Sequence, residues 1–418
     1  MRAGKERTRH ERVMELTARR IGRGQRTGIM RVDLEDERLD DATITMGGKR
    51  VVDFASCSYL GLNRDPRLVD AAIDGIHRFG VSHSSSTAYT SLPLYKELRE
   101  GLREMMGVPV GVAASTTLGH LSALPVLIGP EDVAIVDAQA HASVHLALQV
   151  VRASGTEIVT VPHNDMDTLV EVIEAHHDVS GRVWYLADGV YSMFGDTAPV
   201  EDIVALLDRY GDLHVYFDDA HGFGWSGVAG RGVVLERVEW HPRMVVVAGL
   251  SKSFGAAGGV IATPDPERMQ QIVLCGGTFT FSGPIQTAEL AAGVASARIH
   301  LSDEHRRLRE EFGRRIDLVR DSMIEHQLPV LSLERTPIWF LRIGTPDRVV
   351  ELVHRLLDEG FYVNPASFPA VPMGLAGIRF TQTMHNDEGQ IVALMEALRR
   401  HVPELVVDDA TTIDLTNV

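Results

Sequence analysis

The sequence predicts an α/β protein, with a large domain built on a mainly parallel β-sheet flanked by helices and a smaller α+β domain after it. Three observations lead there. From about residue 70 to 300, short β-branched runs alternate with segments of helical period, the pattern of repeated βαβ units. Beyond residue 300, long helical periods are mixed with shorter strands. The chain has 418 residues, 44% of them hydrophobic and 23% charged. Chains beyond about 300 residues bury roughly three quarters of their unfolded surface and usually divide into domains.

The elements follow in order. Residues 1–26 carry nine Lys and Arg against three Glu, and Val13, Leu16, Thr17 and Ile21 fall at helical spacing with the arginines outside them. This reads as a solvated or subunit-bridging arm, or as a basic surface that recruits an anionic substrate or an acidic carrier protein. Residues 1–60 are thus expected to form an N-terminal arm and small segment. The large domain is expected over 61–300, with strands at Val133–Asp137, Glu157–Val161, Val183–Leu186, His214–Phe217 and Met244–Val247 and helices near 166–176 and 200–210. A C-terminal small domain follows over 301–403, with helices around 303–326 and 347–359 and strands near Ile338–Ile343 and Ile378–Phe380. Residues 404–418 are polar and acidic at their end and read as a tail.

Composition excludes several classes of function. With 57 Asp and Glu against 41 Lys and Arg, the net charge is −16, and neutralising nucleic-acid phosphates needs a basic face. Only Cys57 and Cys275 are present, too few for a disulfide framework or a thiolate metal cluster, which points to a reducing compartment. No apolar run approaches the ~20 residues that span a bilayer, and the first twenty residues lack the apolar middle of a signal peptide. A cytoplasmic protein without nucleic-acid or membrane partners is expected.

In parallel α/β sheets, ligand sites form beyond the carboxyl ends of the strands, and polar groups collect there in this sequence. WYLADGVYSMFGD carries Asp188 and Ser192, HVYFDDAHG carries Asp218, Asp219 and His221, and MVVVAGLSKSFG ends in Ser251 and Lys252. Taken alone, Lys252 is equally a surface lysine or a phosphate clamp. Asp218, emerging from a buried strand, requires a cation or donor; alone it could form a salt bridge or ligate a divalent metal with Asp219 and His221. Together, a strand-end Asp, a His three residues on, and a strand-end Lys one strand later give the layout that holds pyridoxal phosphate. That cofactor needs a lysine for covalent attachment, an acid to keep its ring nitrogen protonated, and donors for its phosphate. Ser115, Thr116 and Thr117, where a strand-like segment turns into a helix, supply such donors, although Ser and Thr are also common helix caps. Gly222, Gly224 and Gly227 match GxGxxG, but the glycines that follow speak against the helix a dinucleotide site requires. His141 and His145, four apart, lack a third metal ligand, and no metal is expected.

These residues resemble the α-oxoamine synthases, a family of fold-type I pyridoxal-phosphate enzymes. The resemblance runs from about Val51 to His401, through FASCSYLGLNRDP, DAQAHAS, DGVYSMFGDTAP, FDDAHGFGWSGVAGRG, GLSKSFG and IRFTQT. It implies a seven-stranded, mainly parallel sheet in the large domain and a homodimer with sites at the subunit interface. It makes Lys252 the Schiff-base lysine, Asp218 the partner of the ring nitrogen, His221 the donor to the ring hydroxyl and His141 the imidazole stacked on the ring. Ser192, Ser251, Thr116 and Thr117 would contact the cofactor. Thr280 and Ser282, in FTFSGPI, resemble the segment that reaches the phosphate from the neighbouring subunit. Arg379 matches the arginine that holds the substrate carboxylate.

Departures from the family's pattern lie mostly toward the substrate. Cys57 stands where an Asn is usual, Ser82–Ser86 with His83 replaces a glycine-rich loop, Gly249 stands for a phosphate-binding Thr, His120 for an Asn, and Phe194 for an Asp. The resemblance implies a decarboxylative condensation of an amino acid with an acyl thioester, carried by CoA or an acyl carrier protein, giving an α-amino ketone, CO2 and free thiol. An aminotransferase or aldolase on the same scaffold is the alternative.

Overall fold

The structure, a computed structural model, describes residues 8–40, 42–178 and 181–406. Most of the expected tail, residues 407–418, lies outside the described residues. The chain forms two compact units. One comprises the described residues within Met1–Ser56, Met193–Gly195 and Arg315–Thr411, and the other those within Cys57–Ser192 and Asp196–Arg314.

The first unit opens with α1 (Arg9–Arg26), where Thr8 and Glu11 make a reciprocal capping box, and continues with the hairpin of β1 (Thr43–Met46) and β2 (Lys49–Asp53). The chain then builds the second unit on seven strands: β3 (Val110–Ala113), β4 (Val133–Asp137), β5 (Glu157–Val161), β6 (Val183–Asp188), β7 (Leu213–Asp218), β8 (Met244–Gly249) and β9 (Gly259–Ala262). Their order is β3-β9-β8-β7-β6-β4-β5; β9 runs antiparallel to both neighbours, while β5 through β8 are joined by parallel pairs. Every residue of β4, β6, β7 and β8 is buried. That is why their sequences are nearly continuous apolar runs: helices cover both faces of a parallel sheet.

Alternation along these strands sorts side chains into two cores. Tyr185, Ala187, Val215, Phe217 and Val246 pack on one face, and Trp184, Leu186, Tyr216, Val245 and Val247 on the other. The second face also holds Ala123 and Leu124 of α4 (Thr116–Leu127) and Val144 and Leu148 of α5 (Ala142–Ala153), α1 being followed in the chain by α2 (Pro66–Phe79) and α3 (Pro93–Met106). By the same alternation, Asp188 and Asp218 extend toward the face covered by α4 and α5, and Asp219 belongs to the opposite one.

Three strands run further than the sequence indicates. β6, β7 and β8 end at Asp188, Asp218 and Gly249 rather than at Leu186, Phe217 and Val247, because Asp188 still pairs with Asp218 and Asp218 with Val247 in the ladder. The two carboxylates are therefore the last residues of their strands, fixed by sheet hydrogen bonds. The glycine-rich turn after His221 leads to a five-residue helix only at Val233–Arg237.

The first unit is completed by β10 (Ile338–Gly344), β11 (Phe361–Tyr362), β12 (Asn364–Ala366) and β13 (Ala376–Thr381). β10-β13-β12 form an antiparallel sheet, while β11 joins β2 in parallel. Helices Pro346–Asp358, capped by Thr345, and Glu388–Leu405, opened by an Asp387–Gln390 capping box, belong to the same unit. Among the described residues, no helix is long and apolar enough to cross a membrane.

Candidate active site

At the carboxyl ends of β6, β7 and β8 lies a cavity of about 170 Å³, lined by Ser115, Thr116, Thr117, His141, Ser143, Asp188, Asp218, His221, Ser251 and Lys252 among others. Seven of the expected site residues thus meet in one place: Lys252, Asp218, His221, His141, Thr116, Thr117 and Ser251.

Asp218 is 4% exposed. Its Oδ1 accepts from the Ala220 amide (3.0 Å) and its Oδ2 from His120 Nε2 (2.8 Å). Burial alone would push its carboxyl up, but the His120 imidazole, Lys252 and His141 outweigh that and hold it at about 2. Asp188, its ladder neighbour, goes the other way. Burial first, and then the charge of Asp218, raises its carboxyl well above the ordinary range, against a 3.1 Å hydrogen bond from the His141 amide. The two adjacent carboxyls are thus pushed in opposite directions, Asp218 toward its anion and Asp188 toward its neutral form, as like charges in a dry site are.

The adjacent acid of the DDAH run is directed elsewhere. Asp219 is fully buried, accepts from the Val234 amide (3.0 Å) and packs where a Cβ on Gly189, Gly222 or Gly232 would collide with its carboxyl. Burial is the main reason its carboxyl rises to about 8. Asp218 and Asp219 therefore do not converge on a common ion, which removes the metal reading of that cluster. His145 is likewise no partner of His141: His141 caps α5, its Nδ1 facing Ser143 Oγ at 2.6 Å. His221 is buried, with Nδ1 2.7 Å from the Tyr59 hydroxyl.

The phosphate end is built by backbone. Ser115 caps α4 by accepting from Leu118 N, so the first N–H groups of the helix, at Thr116 and Thr117, have no partner within it and adjoin the cavity. Glycines let β8 and β9 approach: a Cβ on Gly249 would come within 3.1 Å of Thr116 Oγ1, and one on Gly259 within 2.8 Å of Thr116 N. An amine, a buried anion, imidazoles and a helix N-terminus around one cavity fit an aldehyde-bearing pyridinium with a phosphate, which is pyridoxal phosphate.

Other expected residues lie elsewhere. Ser192 is half-buried on the loop after Asp188. Thr280 lines a second cavity of about 250 Å³ with Tyr95 and Phe279, and Ser282 follows it, half-buried. His83 faces Thr90 Oγ1 through Nε2 (3.1 Å), while Ser86 Oγ and Thr87 Oγ1 donate to the carbonyls of Thr280 and Phe279 (2.6 and 2.8 Å). The serine loop thus closes on the FTFSGPI segment. Cys57 is half-buried and reduced. Arg379 belongs to the other unit, buried on the middle strand β13 between Phe340 and Asn364.

The sequence did not single out the imidazole that bonds the anion, or the hydroxyl that bonds that imidazole in turn. His120 stood out only as a departure from an Asn, and Tyr216 not at all. The available signal was spacing, since Tyr216 lies two residues before Asp218 and so shares its face.

A model of the family described as aminotransferase class I and II matches residues 49–398. An 8-amino-7-oxononanoate synthase of Geobacter sulfurreducens is 33% identical over 361 residues, covering 86% of this chain and 90% of that protein. A serine palmitoyltransferase of Bacteriovorax stolpii is 30% identical over 360 residues, covering 84% and 83%. Among solved structures, a serine palmitoyltransferase from S. paucimobilis with a bound PLP–myriocin aldimine superposes with a TM-score of 0.86 at 22% identity, over 96% of this chain and 99% of that one. At that identity the likeness bears on the fold, which is that of the fold-type I pyridoxal-phosphate enzymes.

Proposed function

Because the chain belongs to the aminotransferase class I and II family, and within it is a pyridoxal-phosphate-dependent acyltransferase of the α-oxoamine synthase type, we propose that it condenses an amino acid with an acyl thioester, with loss of CO2. The observation that carries this is the meeting of Lys252 and Asp218 in one cavity beside the N-terminus of α4. When bound, the cofactor supplies an electron sink conjugated to the substrate Cα.

The chain's own residues do the rest. Lys252 would hold the cofactor through its amine and, with the amino acid bound, would serve as the base at the Cα proton. Asp218, anionic and fixed by the Ala220 amide and His120, keeps the ring nitrogen protonated. His141 would cover the ring, and His221, whose Nδ1 is engaged by Tyr59, would donate to the ring hydroxyl. Thr116 and Thr117 present backbone donors to the phosphate, Ser251 and Ser192 complete the surroundings, and Thr280 and Ser282 serve the partner subunit's site in a homodimer. Arg379 takes the substrate carboxylate, with Cys57 and His83 shaping the donor pocket. In the net reaction the Cα–carboxylate and C–S bonds break, the Cα–acyl bond forms, and the thiol leaves protonated, so one proton is consumed.

The donor is glycine, alanine, serine or a larger amino acid, and the thioester is carried by CoA or a carrier protein. A mass-spectrometric screen of amino acids against acyl thioesters tests the reading. The expected products are an α-amino ketone and free thiol in equal amounts, with label lost as CO2 from a carboxyl-labelled amino acid. Release of a keto acid from amino acid alone, without thioester consumption, contradicts it.

A further inference from the structure

His120 lies on α4, 0% exposed, with both ring nitrogens engaged. Nε2 is 2.8 Å from Asp218 Oδ2 and Nδ1 is 2.7 Å from the Tyr216 hydroxyl. An ionised carboxylate only accepts, so Nε2 carries a hydrogen; in the tautomer with its proton there, Nδ1 receives the Tyr216 O–H. The result is a directed chain, Tyr216 O–H to His120 to Asp218, inside the sheet-facing core of α4. With the Ala220 amide on Oδ1, each oxygen of Asp218 has one fixed protein donor. An amide side chain, as an asparagine would supply at position 120, could donate to the carboxylate but is shorter and offers no ring nitrogen to Tyr216.

We propose that His120 is a positioning residue which, locked by Tyr216, holds Asp218 ionised and in one orientation, and so keeps the ring nitrogen of bound pyridoxal phosphate protonated. This rests on the reading that Asp218 meets that nitrogen. Two features of the geometry support it. The imidazole touches the carboxylate from within the protein and is not among the cavity-lining residues named above, so it acts through Asp218. Tyr216 is on the same strand as Asp218, two residues earlier, so the hydroxyl that fixes the imidazole is carried by the same rigid element as the carboxylate it serves.

The test uses the full-length protein reconstituted with pyridoxal phosphate labelled with 15N in the ring, and reads the ring-nitrogen shift and the cofactor dissociation constant at one pH. His120→Phe removes the donor, and is expected to move the 15N signal toward the unprotonated position and loosen the cofactor about tenfold or more. His120→Asn keeps a donor and should fall between, and Tyr216→Phe, which preserves the ring's volume, should move both readouts the same way by less. With the deaza analogue, which has no ring nitrogen, His120→Phe and the unaltered protein should bind within about twofold, because the effect travels through that nitrogen. A folded His120→Phe protein with unchanged 15N shift and affinity overturns the proposal. If that variant does not fold, unchanged readouts in both His120→Asn and Tyr216→Phe overturn it equally. An unprotonated ring nitrogen already in the unaltered protein would instead overturn the role of Asp218.

Discussion

Two adjacent aspartates with opposite surroundings make the clearest case at the scale of single residues. Asp218, depressed to about 2, is an anion at any working pH, and Asp218→Asn is expected to keep the cofactor attached to Lys252 while turnover falls about 100-fold or more, since a neutral amide cannot hold the ring-nitrogen proton electrostatically. Single-turnover kinetics at matched cofactor occupancy checks this, and near-normal rates would contradict it. Asp219, raised to about 8 chiefly by burial, is neutral at pH 7. A raised carboxyl contributes stability that is complete below its unfolded value, near 4, and is lost as pH rises through 8. Asp219→Asn mimics the neutral form, so thermal unfolding of the variant should lose less stability than the unaltered protein between pH 5 and pH 8.5; parallel curves would mean that Asp219 is not protonated. The sequence displayed both acids at a strand end but could not divide their roles, because the partners of Asp218 and Asp219 are 98 and 15 positions away.

Between elements, one buried histidine joins three strand ends. His163, after β5, bonds Asp137 at the end of β4 through Nδ1 (2.9 Å) and Asp196, on the loop after β6, through Nε2 (2.6 Å), and stands edge-on to Tyr191. Burial disfavours its charge, yet the two carboxylates outweigh burial and raise the imidazole to about 9. Its stabilisation is therefore complete below about pH 6.5 and is lost as pH rises through 9. His163→Ala removes the cation that faces two carboxylates, one wholly buried, and should cost about 3 kcal/mol or more in denaturant unfolding at pH 7, with the difference narrowing above pH 9; a loss below about 1 kcal/mol would show that the bridge does not bear on the loop. At this scale the sequence was most legible where a single force dominates. Strands buried on both faces appear as nearly continuous apolar runs, and the boundaries of β4 and β5 match the expectation to the residue. β9 was not legible, since its four residues begin with Gly259 and its antiparallel placement between β3 and β8 depends on pairing.

For the molecule as a whole, the order of the seven strands brings the ends of β6, β7 and β8 together, and that topology makes one site of residues spread from Ser115 to Lys252. What no periodicity could show is which surfaces remain uncovered. Phe281 is 90% exposed and Tyr89 84%, on two segments tied together by the Ser86 and Thr87 hydrogen bonds to Thr280 and Phe279. Aromatic side chains are enriched at protein–protein interfaces, so these two are the positions at which the proposed homodimer is tested. Sedimentation equilibrium is expected to give twice the 45.9 kDa chain mass, and Phe281→Glu combined with Tyr89→Glu to shift it toward monomer; a fully active monomer would rule the dimer out.

A lysine that carries pyridoxal phosphate can be trapped covalently, and Lys252 is the residue on which the whole site depends. Borohydride reduction of the purified protein followed by peptide mass spectrometry should find the pyridoxyl group on the peptide that contains Lys252, and Lys252→Ala should abolish the adduct. An adduct on another lysine, or one that survives Lys252→Ala unchanged, would mean that Lys252 does not carry the cofactor.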